Sequence, residues 1–409
     1  MAEAFIGLDL GTTGVKAVAF DSDDRQLALS TVPTPTHPTT AGGAEYDADE
    51  LWAAACEVLR AVAEELAASG HWIESVATAS MAEAGVLLDG KGRPVAPIIA
   101  WFDKRTEPQL EWWREVVGAE RTLAIAATPP RAVFGGAKML WTREKTPDAW
   151  QAGRHWLNMA DWAAFRLTGT MATDYSLASR TMLLDLRARQ WSDELLDASG
   201  LDRSRLAPLI QSGERVGQVT ATASAESGLP TGIPVGAGGQ DDICAALALG
   251  VTEPGMMVDS MGTAEAFVLV IDGVDESGRI GAAGVGQGAH VEPGRNYAMT
   301  GLAPGVGRID DARRNLGLSW NEFLVTPAAD EVIESVAVDG QERIDLLLSA
   351  AGISDVHHIA TGGGSRNERL IERKQALGGR AIHVADETEA AALGAAILGR
   401  RALEGFNGK

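Results

Sequence analysis

Two glycine–threonine turns are the parts of this sequence best suited to chemistry. Residues 11–14 of the first turn read Gly-Thr-Thr-Gly, with Asp9 just before them and Lys16 just after. The backbone N–H groups and threonine hydroxyls of such a turn donate hydrogen bonds that suit phosphate oxygens. A nearby carboxylate could hold a hydrated Mg²⁺ ion, and the lysine adds a positive charge. A plain surface hairpin is an equal alternative for this motif on its own.

The turn recurs late in the chain, where Met261 is followed by Gly262 and Thr263. Apolar and β-branched runs flank both turns, a pattern that predicts a strand, a tight turn and a second strand. The two turns lie too far apart for the repeat of a solenoid. We therefore predict two similar domains, each presenting a phosphate-binding hairpin to one cleft.

A glycine-rich run leads into the paired carboxylates Asp241 and Asp242. Residues 236–240 read Gly-Ala-Gly-Gly-Gln, and an apolar, alanine-rich stretch follows the two aspartates. This pattern predicts a helix that starts at the aspartates. An aspartate in that place is a good N-cap, which is the structural interpretation. The functional interpretation is a general base that takes a proton from a hydroxyl group.

Predicted strand ends supply the remaining candidates. Residues 359–364 predict a strand that runs into a glycine triplet, followed by a helix from Asn367. Such glycines admit a flat ligand beside a helix N-terminus, as in nucleotide sites. Earlier in the chain, the apolar run 98–101 ends in Trp101 and leads to Asp103, which could contact a polar ligand. Core packing for Trp101 and a solvated loop for Asp103 are the alternatives.

The elements that must position these residues follow from hydrophobic periodicity and turn signals. Predicted helices span residues 47–68, 161–167, 331–351, 367–377 and 387–401, and predicted strands span 76–80, 85–88 and 359–361. Residues 172–182 are mostly small and polar, so we predict a loop there.

Composition indicates a globular enzyme of two domains. The chain has 409 residues, more than one core usually supports, of which 45% are hydrophobic and 22% charged. The formal net charge of −21 argues against nucleic acid and anionic membranes as partners. The two cysteines, Cys56 and Cys244, predict a reduced, cytoplasmic protein without disulfides. The first apolar run carries Asp9, so it predicts a strand rather than a signal peptide.

Taken together, these motifs resemble the FGGY family of carbohydrate kinases, within the actin-like ATPase superfamily, over nearly the whole chain. The matching segments are the first phosphate motif at 7–13 with Lys16, the middle of the first domain at 167–169 and 173–179, the catalytic-base loop at 238–241, the second phosphate motif at 261–263, and the adenosine motif at 361–367 with 389–396. The resemblance implies an α/β fold of two actin-like (ribonuclease H-like) domains with a cleft between them. It implies an N-terminal, sugar-binding domain at 1–253 and a C-terminal, ATP-binding domain at 254–409.

The function implied by the resemblance is ATP-dependent transfer of the γ-phosphate to a hydroxyl of a neutral sugar or polyol, through positioning and electrostatics. Asp241 would be the catalytic base, with Asp242 as the less favoured candidate, and Asp9 would organise Mg²⁺. The implied sugar contacts are Glu83, Trp101, Asp103 and Asp241. The implied ATP contacts are Gly11, Thr12, Thr13, Lys16, Gly262, Thr263, Gly362, Gly363, Gly364 and Asn367.

The identity of the substrate is harder to predict. Glu83 falls where glycerol kinases bind their substrate, but Ala82 replaces their arginine and Val133 their tyrosine, so glycerol is disfavoured. The run from Trp101 to Asp103 resembles the Trp-Asn-Asp of xylulokinases, although their Gln-Met-His pattern is missing. Because three of the four implied sugar contacts are acidic, an anionic substrate would meet repulsion. We expect a pentulose, a polyol or a related neutral sugar.

The chain departs from the family pattern in one segment. Between residues 321–324 and Glu331 the family usually carries a long stretch with a Pro-Tyr-Leu-x-Gly-Glu-Arg-like motif, and here only residues 325–330 remain. A catalytically impaired sugar- or nucleotide-binding protein is therefore the first alternative function. An actin-like ATPase with a protein partner is the second, and Asp241 with the acidic sugar-side residues disfavours it. The sequence leaves a homodimer open.

Overall fold

Contacts divide the chain into two compact units. The computed structural model describes residues 2–40, 42–403 and 405. The first unit comprises residues 1–248, 288–294 and 391–409, and the second comprises 249–287 and 295–390. The predicted division into functional domains at residue 253 stays a prediction, because a division by contacts does not show where each ligand binds.

The first unit is built on a six-stranded mixed sheet with the strand order β5-β6-β4-β1-β2-β3. Its strands are β1 (Ala2–Leu10), β2 (Gly14–Phe20), β3 (Gln26–Pro33), β4 (His71–Ser80), β5 (Arg215–Gln218) and β6 (Pro234–Gln240). Strands β1, β2 and β3 pair antiparallel, whereas β1, β4 and β6 run parallel. The middle of β1 is buried on both faces, as expected for a strand in a sheet that is covered on both sides.

The second unit repeats this arrangement in a sheet with the order β9-β10-β8-β7-β11-β12. Its strands are β7 (Met256–Met261), β8 (Glu265–Ile271), β9 (Gly286–Ala289), β10 (Asn296–Leu302), β11 (His357–Thr361) and β12 (Ile382–Val384). Again an antiparallel series, β10-β8-β7, is continued by parallel strands, β7-β11-β12. The duplication predicted from the two glycine–threonine turns is therefore confirmed in the strand topology.

Helices and short strands complete both units. The helices of the first unit are Ala48–Ser69, Glu107–Trp112, Ala119–Ala126, Gly135–Lys145, Pro147–Ala152, Met159–Thr168, Tyr175–Ala178, Asp193–Ser199, Ala221–Ser227, Asp241–Ala248 and Ala390–Leu403. Those of the second unit are Arg279–Ala282, Gly307–Asn315, Trp320–Phe323, Pro327–Ala351 and Glu368–Gly378. The short strands are His37–Pro38, Ala44–Tyr46, Gly85–Asp89, Ile98–Ile99, Gly153–Asn158, Thr173–Asp174, Leu184–Asp185, Gln190–Trp191 and Leu209–Ile210. Among the described residues, no helix is both long and apolar enough to cross a membrane.

The predicted helices and strands are present, with bounds that differ by a few residues, but the loop predicted at 172–182 is wrong. That segment holds a short strand, the helix Tyr175–Ala178 and a 3₁₀ turn at Ser179–Thr181. The carboxylate of Asp174 accepts hydrogen bonds from the backbone N–H groups of Ser176 and Leu177, which caps the helix. Small polar residues therefore serve here as a buried cap and turn rather than as a solvated loop.

The C-terminal helix Ala390–Leu403 packs on the sheet of the first unit through glycines. A Cβ atom on Gly7 of β1 would lie 1.8 Å from the carbonyl oxygen of Ala392. A Cβ atom on Gly394 would lie 1.9 Å from the carbonyl oxygen of Cys244. These separations are far below contact distance, so both glycines are needed for the close approach.

The shortened segment at 325–330 is closed by ordinary helix capping. The hydroxyl of Thr326 accepts a hydrogen bond from the backbone N–H of Ala329 and begins the helix Pro327–Ala351. Phe323, just before the junction, packs in one buried apolar cluster with Ile333, just after it. The chain therefore continues from one helix to the next without a gap in its core.

A buried ionic cluster lies at the centre of the second unit. The ammonium group of Lys374 donates a hydrogen bond to Asp259 at 2.8 Å and contacts Glu265, and His358 lies 3.4 Å from Asp259. All four side chains are essentially inaccessible to solvent. Burial and the charge of Asp259 raise the pKa of Glu265 to about 8. Burial opposes the ionisation of Asp259, yet Lys374 and His358 hold its pKa below the ordinary value.

The cluster predicts a large stability cost for removing its cation. Lys374→Met should lower the free energy of unfolding by about 3–5 kcal/mol, because Asp259 would keep a buried charge without compensation. Urea unfolding followed by circular dichroism measures this difference. The control Lys145→Met removes an exposed lysine that pairs with Glu144, and it should cost about 0–1 kcal/mol. Equal effects of the two substitutions would contradict the proposed role of the cluster.

Candidate active site

The parallel strands of the first unit end together and bring three predicted site residues to one sheet edge. Leu10 at the end of β1 and Gln240 at the end of β6 both pair with Ser80 at the end of β4. Open α/β sheets bind ligands at the carboxyl ends of their parallel strands. Asp9 precedes the first of these ends, and Glu83 and Asp241 follow the other two.

The first glycine–threonine turn forms the predicted hairpin. Gly11 donates a backbone hydrogen bond to the carbonyl of Gly14 at 3.1 Å. Thr34 holds the turn from the side, because its hydroxyl donates to the carbonyl of Gly11 at 2.7 Å and its N–H donates to that of Thr13 at 3.2 Å. Asp9 and Lys16 are directly opposite each other in the ladder of β1 and β2, so their side chains lie on the same face of the sheet.

Asp241 is the first residue of the helix Asp241–Ala248 and is half-buried. Its carboxylate accepts a hydrogen bond from the backbone N–H of Asp242 at 2.8 Å. Burial raises the pKa of Asp241 well above the ordinary value, and the charges of Asp242, Asp9 and Glu83 raise it further. A carboxylate with a raised pKa takes up a proton more readily, which suits a general base at neutral pH.

Glu83 has an unusual backbone conformation. Its φ is +65°, and Ala84 donates a backbone hydrogen bond to the carbonyl of Ala82 at 2.8 Å, which is the geometry of a γ-turn with positive φ. A non-glycine residue in such a region costs about 1–3 kcal/mol and persists only where its surroundings hold it. Here the guanidinium of Arg180 contacts the carboxylate, with Nε donating to Oε1 at 2.6 Å.

Trp101 contacts the first phosphate hairpin directly. Its indole N–H donates a hydrogen bond to the hydroxyl of Thr12 at 2.9 Å. The ring is partly buried and packs edge-on against Phe102, with the ring centroids 5.6 Å apart. The structure thus brings a residue predicted to contact the sugar together with one predicted to contact phosphate.

Asp103 is more enclosed than a direct sugar contact requires. Its oxygens accept hydrogen bonds from the N–H of Ala44 at 2.8 Å, from the N–H of Arg105 at 2.8 Å and from the Arg105 guanidinium at 2.7 Å. Burial opposes ionisation, but these bonds outweigh it and hold the pKa of Asp103 below the ordinary value. A sugar contact by Asp103 stays a prediction, and its present bonds make it a support for the loop after Trp101.

A buried lysine supports the same loop from below. The ammonium of Lys138 donates to the backbone carbonyls of Ala100 at 3.0 Å and Ile99 at 3.3 Å. Burial lowers the pKa of Lys138 to about 7, although the charges of Glu83 and Asp103 act in the opposite direction. The support of Trp101 therefore rests on a side chain that sequence reasoning did not single out.

Arginines lie beside Glu83 and Asp103, so these two carboxylates repel an anionic substrate less than the sequence alone predicts. Each of these carboxylates is paired with an arginine, Arg180 and Arg105 respectively. The sequence could have indicated Arg105 as the partner of Asp103, because it lies only two residues later. Arg180 gave no signal, because it lies 97 residues from its partner.

The second unit places its own predicted ligand residues side by side. Ser260 of β7 pairs with Thr361 of β11, so the turns that follow, at Gly262 and Gly362, are neighbours. A Cβ on Gly362 would lie 3.0 Å from the carbonyl oxygen of Met261, so a glycine is needed for this approach. A Cβ on Gly364 would lie 2.6 Å from a methyl group of Val306.

Gly363 and Asn367 complete the glycine-triplet turn. A Cβ on Gly363 would meet no atom of the chain within 4 Å, which leaves open space beside this glycine for a ligand. Asn367 caps the helix Glu368–Gly378, accepting a hydrogen bond from the N–H of Leu370 at 3.2 Å. The turn therefore combines open space with a helix N-terminus.

Sequence reasoning missed the glycines that support the second phosphate turn. Gly305 and Gly307 donate backbone hydrogen bonds to the carbonyl of Thr263, at 3.0 and 3.2 Å. A Cβ on either glycine would come within 3.0 Å of the segment Thr263–Glu265. The alternation of glycines just before the helix Gly307–Asn315 was the available signal.

The residues near Asp9 fit a magnesium ion held together with ATP. Among the residues that the structure describes, no group of three or more His, Cys, Asp or Glu side chains could hold a metal. Mg²⁺ is commonly bound through one or two carboxylates with water and substrate phosphates. Gly11 leaves space beside the Asp9 carboxylate, because even a Cβ there would lie 3.6 Å from Oδ2. A single carboxylate next to a phosphate turn suits that mode of binding.

Comparison with known proteins agrees with this arrangement. The profile of the N-terminal domain of the FGGY family of carbohydrate kinases matches residues 4–248. Xylulose kinase from Lactococcus lactis is 29% identical over 346 residues, covering 82% of this chain and 68% of that protein. L-fuculokinase from Escherichia coli K12 is 24% identical over 447 residues, covering 99% of this chain and 93% of that protein.

Other relatives are covered less completely. Autoinducer-2 kinase from Klebsiella pneumoniae is 34% identical over 274 residues, which are 63% of this chain and 49% of that protein. The match thus spans about half of that relative's length. Among solved structures, xylulose kinase from Rhodospirillum rubrum superposes with a TM-score of 0.87 at 22% identity, covering 99% of this chain and 92% of the other. At that identity the likeness shows the fold.

The duplicated mixed sheets form a two-domain, actin-like fold, and the family profile identifies the class of protein as a carbohydrate kinase. The chain belongs to the FGGY family of carbohydrate kinases. Its enzyme class is accordingly that of an ATP-dependent sugar kinase, with a hydroxyl group as the phosphate acceptor.

The raised pKa of Asp241 predicts a stability gain when its charge is removed. An acid whose folded-state pKa is raised favours folding at low pH and loses that contribution as the pH rises through the folded-state pKa. Asp241→Asn should therefore raise the melting temperature at neutral pH, by about 2–4 °C for each 1 kcal/mol relieved.

Thermal unfolding of the unliganded protein across pH 4–9 tests this expectation. The gain of Asp241→Asn over the native protein should be small near pH 4 and should grow with pH until the raised pKa is passed. Asp148→Asn replaces an exposed aspartate of the same unit and serves as the control. A pH-independent difference, or a loss of stability at neutral pH, would argue against a strained charge at Asp241.

Proposed function

We propose that this protein transfers the γ-phosphate of ATP to a hydroxyl of a neutral sugar or polyol, with a ketose such as a pentulose as the leading class. The observation that carries the proposal is the position of Asp241. It begins a helix at the ligand-binding edge of the first sheet, and the charges of Asp9 and Glu83 act on it. A proton acceptor in such surroundings is what a hydroxyl nucleophile needs.

In the proposed reaction, Asp241 accepts the hydroxyl proton as that oxygen attacks the γ-phosphorus. Glu83 orients the sugar by accepting a hydrogen bond from a second hydroxyl, because an ionised carboxylate is an acceptor only. The backbone N–H groups at Gly11 and Gly262 and the adjacent threonine hydroxyls hold phosphate oxygens. Asp9 would hold Mg²⁺, and the ion would supply positive charge against the phosphates.

The proposed sugar class rests on charge and on the relatives' names. The xylulose kinase, fuculokinase and autoinducer-2 kinase relatives are named for different substrates, so the names narrow the choice only to small hydroxylated molecules. Glu83 and Asp103 are each paired with an arginine. The charges of Asp242, Asp9 and Glu83 all act on Asp241 at this sheet edge, so a further negative charge on the substrate would meet repulsion. That repulsion supports a neutral one.

An ATP-consumption screen with Mg²⁺ across neutral ketoses, polyols, aldonic acids and sugar phosphates tests the proposal. We expect turnover on a neutral ketose or polyol and little on the acids and phosphates. Binding of sugar and ATP without turnover would support the impaired-kinase alternative that the short 325–330 segment raised. ATP hydrolysis without any sugar acceptor would support the actin-like ATPase instead. The cytoplasmic location and a homodimer stay predictions.

The proposed base predicts opposite results for two neighbouring aspartates. Asp241→Asn should abolish phosphoryl transfer, a loss of about 10²–10⁴-fold or more, while ATP still binds. Asp242→Asn should keep turnover. As the pH is lowered, the activity of this variant should fall off at a lower pH than that of the native enzyme. The reason is that removing the Asp242 charge lowers the pKa of Asp241.

Steady-state rates between pH 5 and 9, with ATP affinity from calorimetry, measure both effects. If Asp242→Asn abolished turnover and Asp241→Asn did not, the base would be Asp242.

The open space at Gly363 predicts a selective loss of nucleotide binding. Gly363→Val should weaken ATP binding by about ten-fold or more and leave sugar binding within two-fold, because each 1.4 kcal/mol of obstruction is ten-fold in affinity. The fold should tolerate the change, since a Cβ there meets no atom of the chain. Gly90→Val is the matched control, because its Cβ would meet only a side-chain carbon at 3.8 Å. Calorimetry with each ligand measures the losses, and an equal loss of both would refute the assignment of the nucleotide to the second unit.

A further inference from the structure

We propose that Arg180 is a positioning residue of the sugar site, which acts by holding the Glu83 carboxylate in the orientation that recognises a sugar hydroxyl. This inference rests on the proposed function, and it adds a residue that neither the sequence motifs nor the comparisons assign. Four observations carry it: the backbone of Glu83, the second oxygen of its carboxylate, the packing of the Arg180 side chain, and the packing of the neighbouring Thr181.

The backbone at Glu83 favours glycine, yet the chain places a glutamate there. A φ of +65° inside a γ-turn is strained for any residue other than glycine, so a glutamate at this position costs stability. Strained residues of this kind cluster at ligand sites, where the surrounding structure holds them in place. The strain therefore points to a side chain that is required at this spot.

The carboxylate of Glu83 is bound on one oxygen and available on the other. Nε and Nη2 of Arg180 both contact Oε1. Within the described part of the chain, no group donates a hydrogen bond to Oε2. The Glu83 side chain is 8% exposed, so it is largely shielded from bulk water without being closed off completely. An ionised oxygen in this state is a strong acceptor for a hydroxyl.

Packing restrains both the Arg180 side chain and the residue that follows it. Its guanidinium lies over the ring of Phe134, 4.6 Å from the centroid, and that ring is fully buried. Its neighbour Thr181 is pressed against the helix Gly135–Lys145, where a Cβ on Gly136 would lie 2.7 Å from the Thr181 carbonyl oxygen. A guanidinium fixed in this way pre-orients the carboxylate before the sugar arrives, which lowers the entropic cost of binding.

The test uses kinetics with D-xylulose, or with whichever neutral ketose the native enzyme turns over fastest. Arg180→Gln should raise the KM for the sugar about ten-fold or more, the value of one charge-assisted hydrogen bond, with the KM for ATP within two-fold. Arg180→Lys should recover only part of the loss, because an ammonium cannot reproduce the planar fork. Added methylguanidinium should partly restore the sugar KM of Arg180→Gln.

Two further variants separate a positioning role from a structural one. The double variant Arg180→Gln with Glu83→Gln should be no worse than Glu83→Gln alone, because both act through one contact. Glu83→Gly should lose sugar binding, while relief of the backbone strain offsets part of the stability cost of removing the carboxylate beside Arg180, because glycine suits the γ-turn. Arg205→Gln is the control: it removes an arginine that also stacks on an aromatic ring, that of Trp150 at 4.2 Å, and it should leave both KM values unchanged.

The outcomes are distinct. If the native enzyme phosphorylates no sugar, the proposed function fails. If the native enzyme does phosphorylate a sugar, three results would refute the role of Arg180 alone. Arg180→Gln could leave the sugar KM within two-fold, or it could raise both KM values equally. It could also add its full effect to that of Glu83→Gln. A sugar-specific rise in KM that does not add to Glu83→Gln establishes the role.

Discussion

The crowding of carboxylates at the carboxyl ends of β1, β4 and β6 is the constraint on which the first unit depends. Burial raises the pKa of the half-buried Asp241, and the charges of Asp242, Asp9 and Glu83 raise it further. The unit offsets this repulsion selectively, since Glu83 is paired with Arg180. None of the ion pairs among the described residues involves Asp241. A general base needs that condition, because a paired cation would lower its pKa and its readiness to take a proton.

In the second unit, buried charges are paired with one another and hold two turns in place. Its buried lysine, Lys374, lies on the helix that Asn367 caps, just after the glycine triplet. The partners of Lys374 are Asp259 and Glu265, on the two strands that flank Gly262. The cluster therefore ties together the two turns that are proposed to contact ATP. Because breaking one partner of a buried pair is costly, this linkage keeps the turns at one spacing.

Local patterns predicted most of the fold, and long-range contacts account for what was missed. The hairpins and most helices are encoded by runs of adjacent residues, so their bounds could be predicted to within a few positions. The small, polar residues of the segment 172–182 predict a loop, whereas in the folded protein the buried Asp174 caps a short helix. The pairing of Glu83 with Arg180 spans 97 residues and depends on the folded topology. The strain at Glu83 is likewise visible only as a backbone angle.

The hydrogen bond from Trp101 to Thr12 joins the proposed sugar and phosphate contacts within the first unit alone. Trp101 cannot move freely, because Lys138 holds the carbonyls of Ile99 and Ala100 just before it. A sugar that packs on the indole ring would therefore press on a fixed element that is bonded to the phosphate turn. The proposed sugar contact and the proposed phosphate turn are in this way joined by a direct hydrogen bond, which is a physical route by which an acceptor can favour transfer over the loss of phosphate to water.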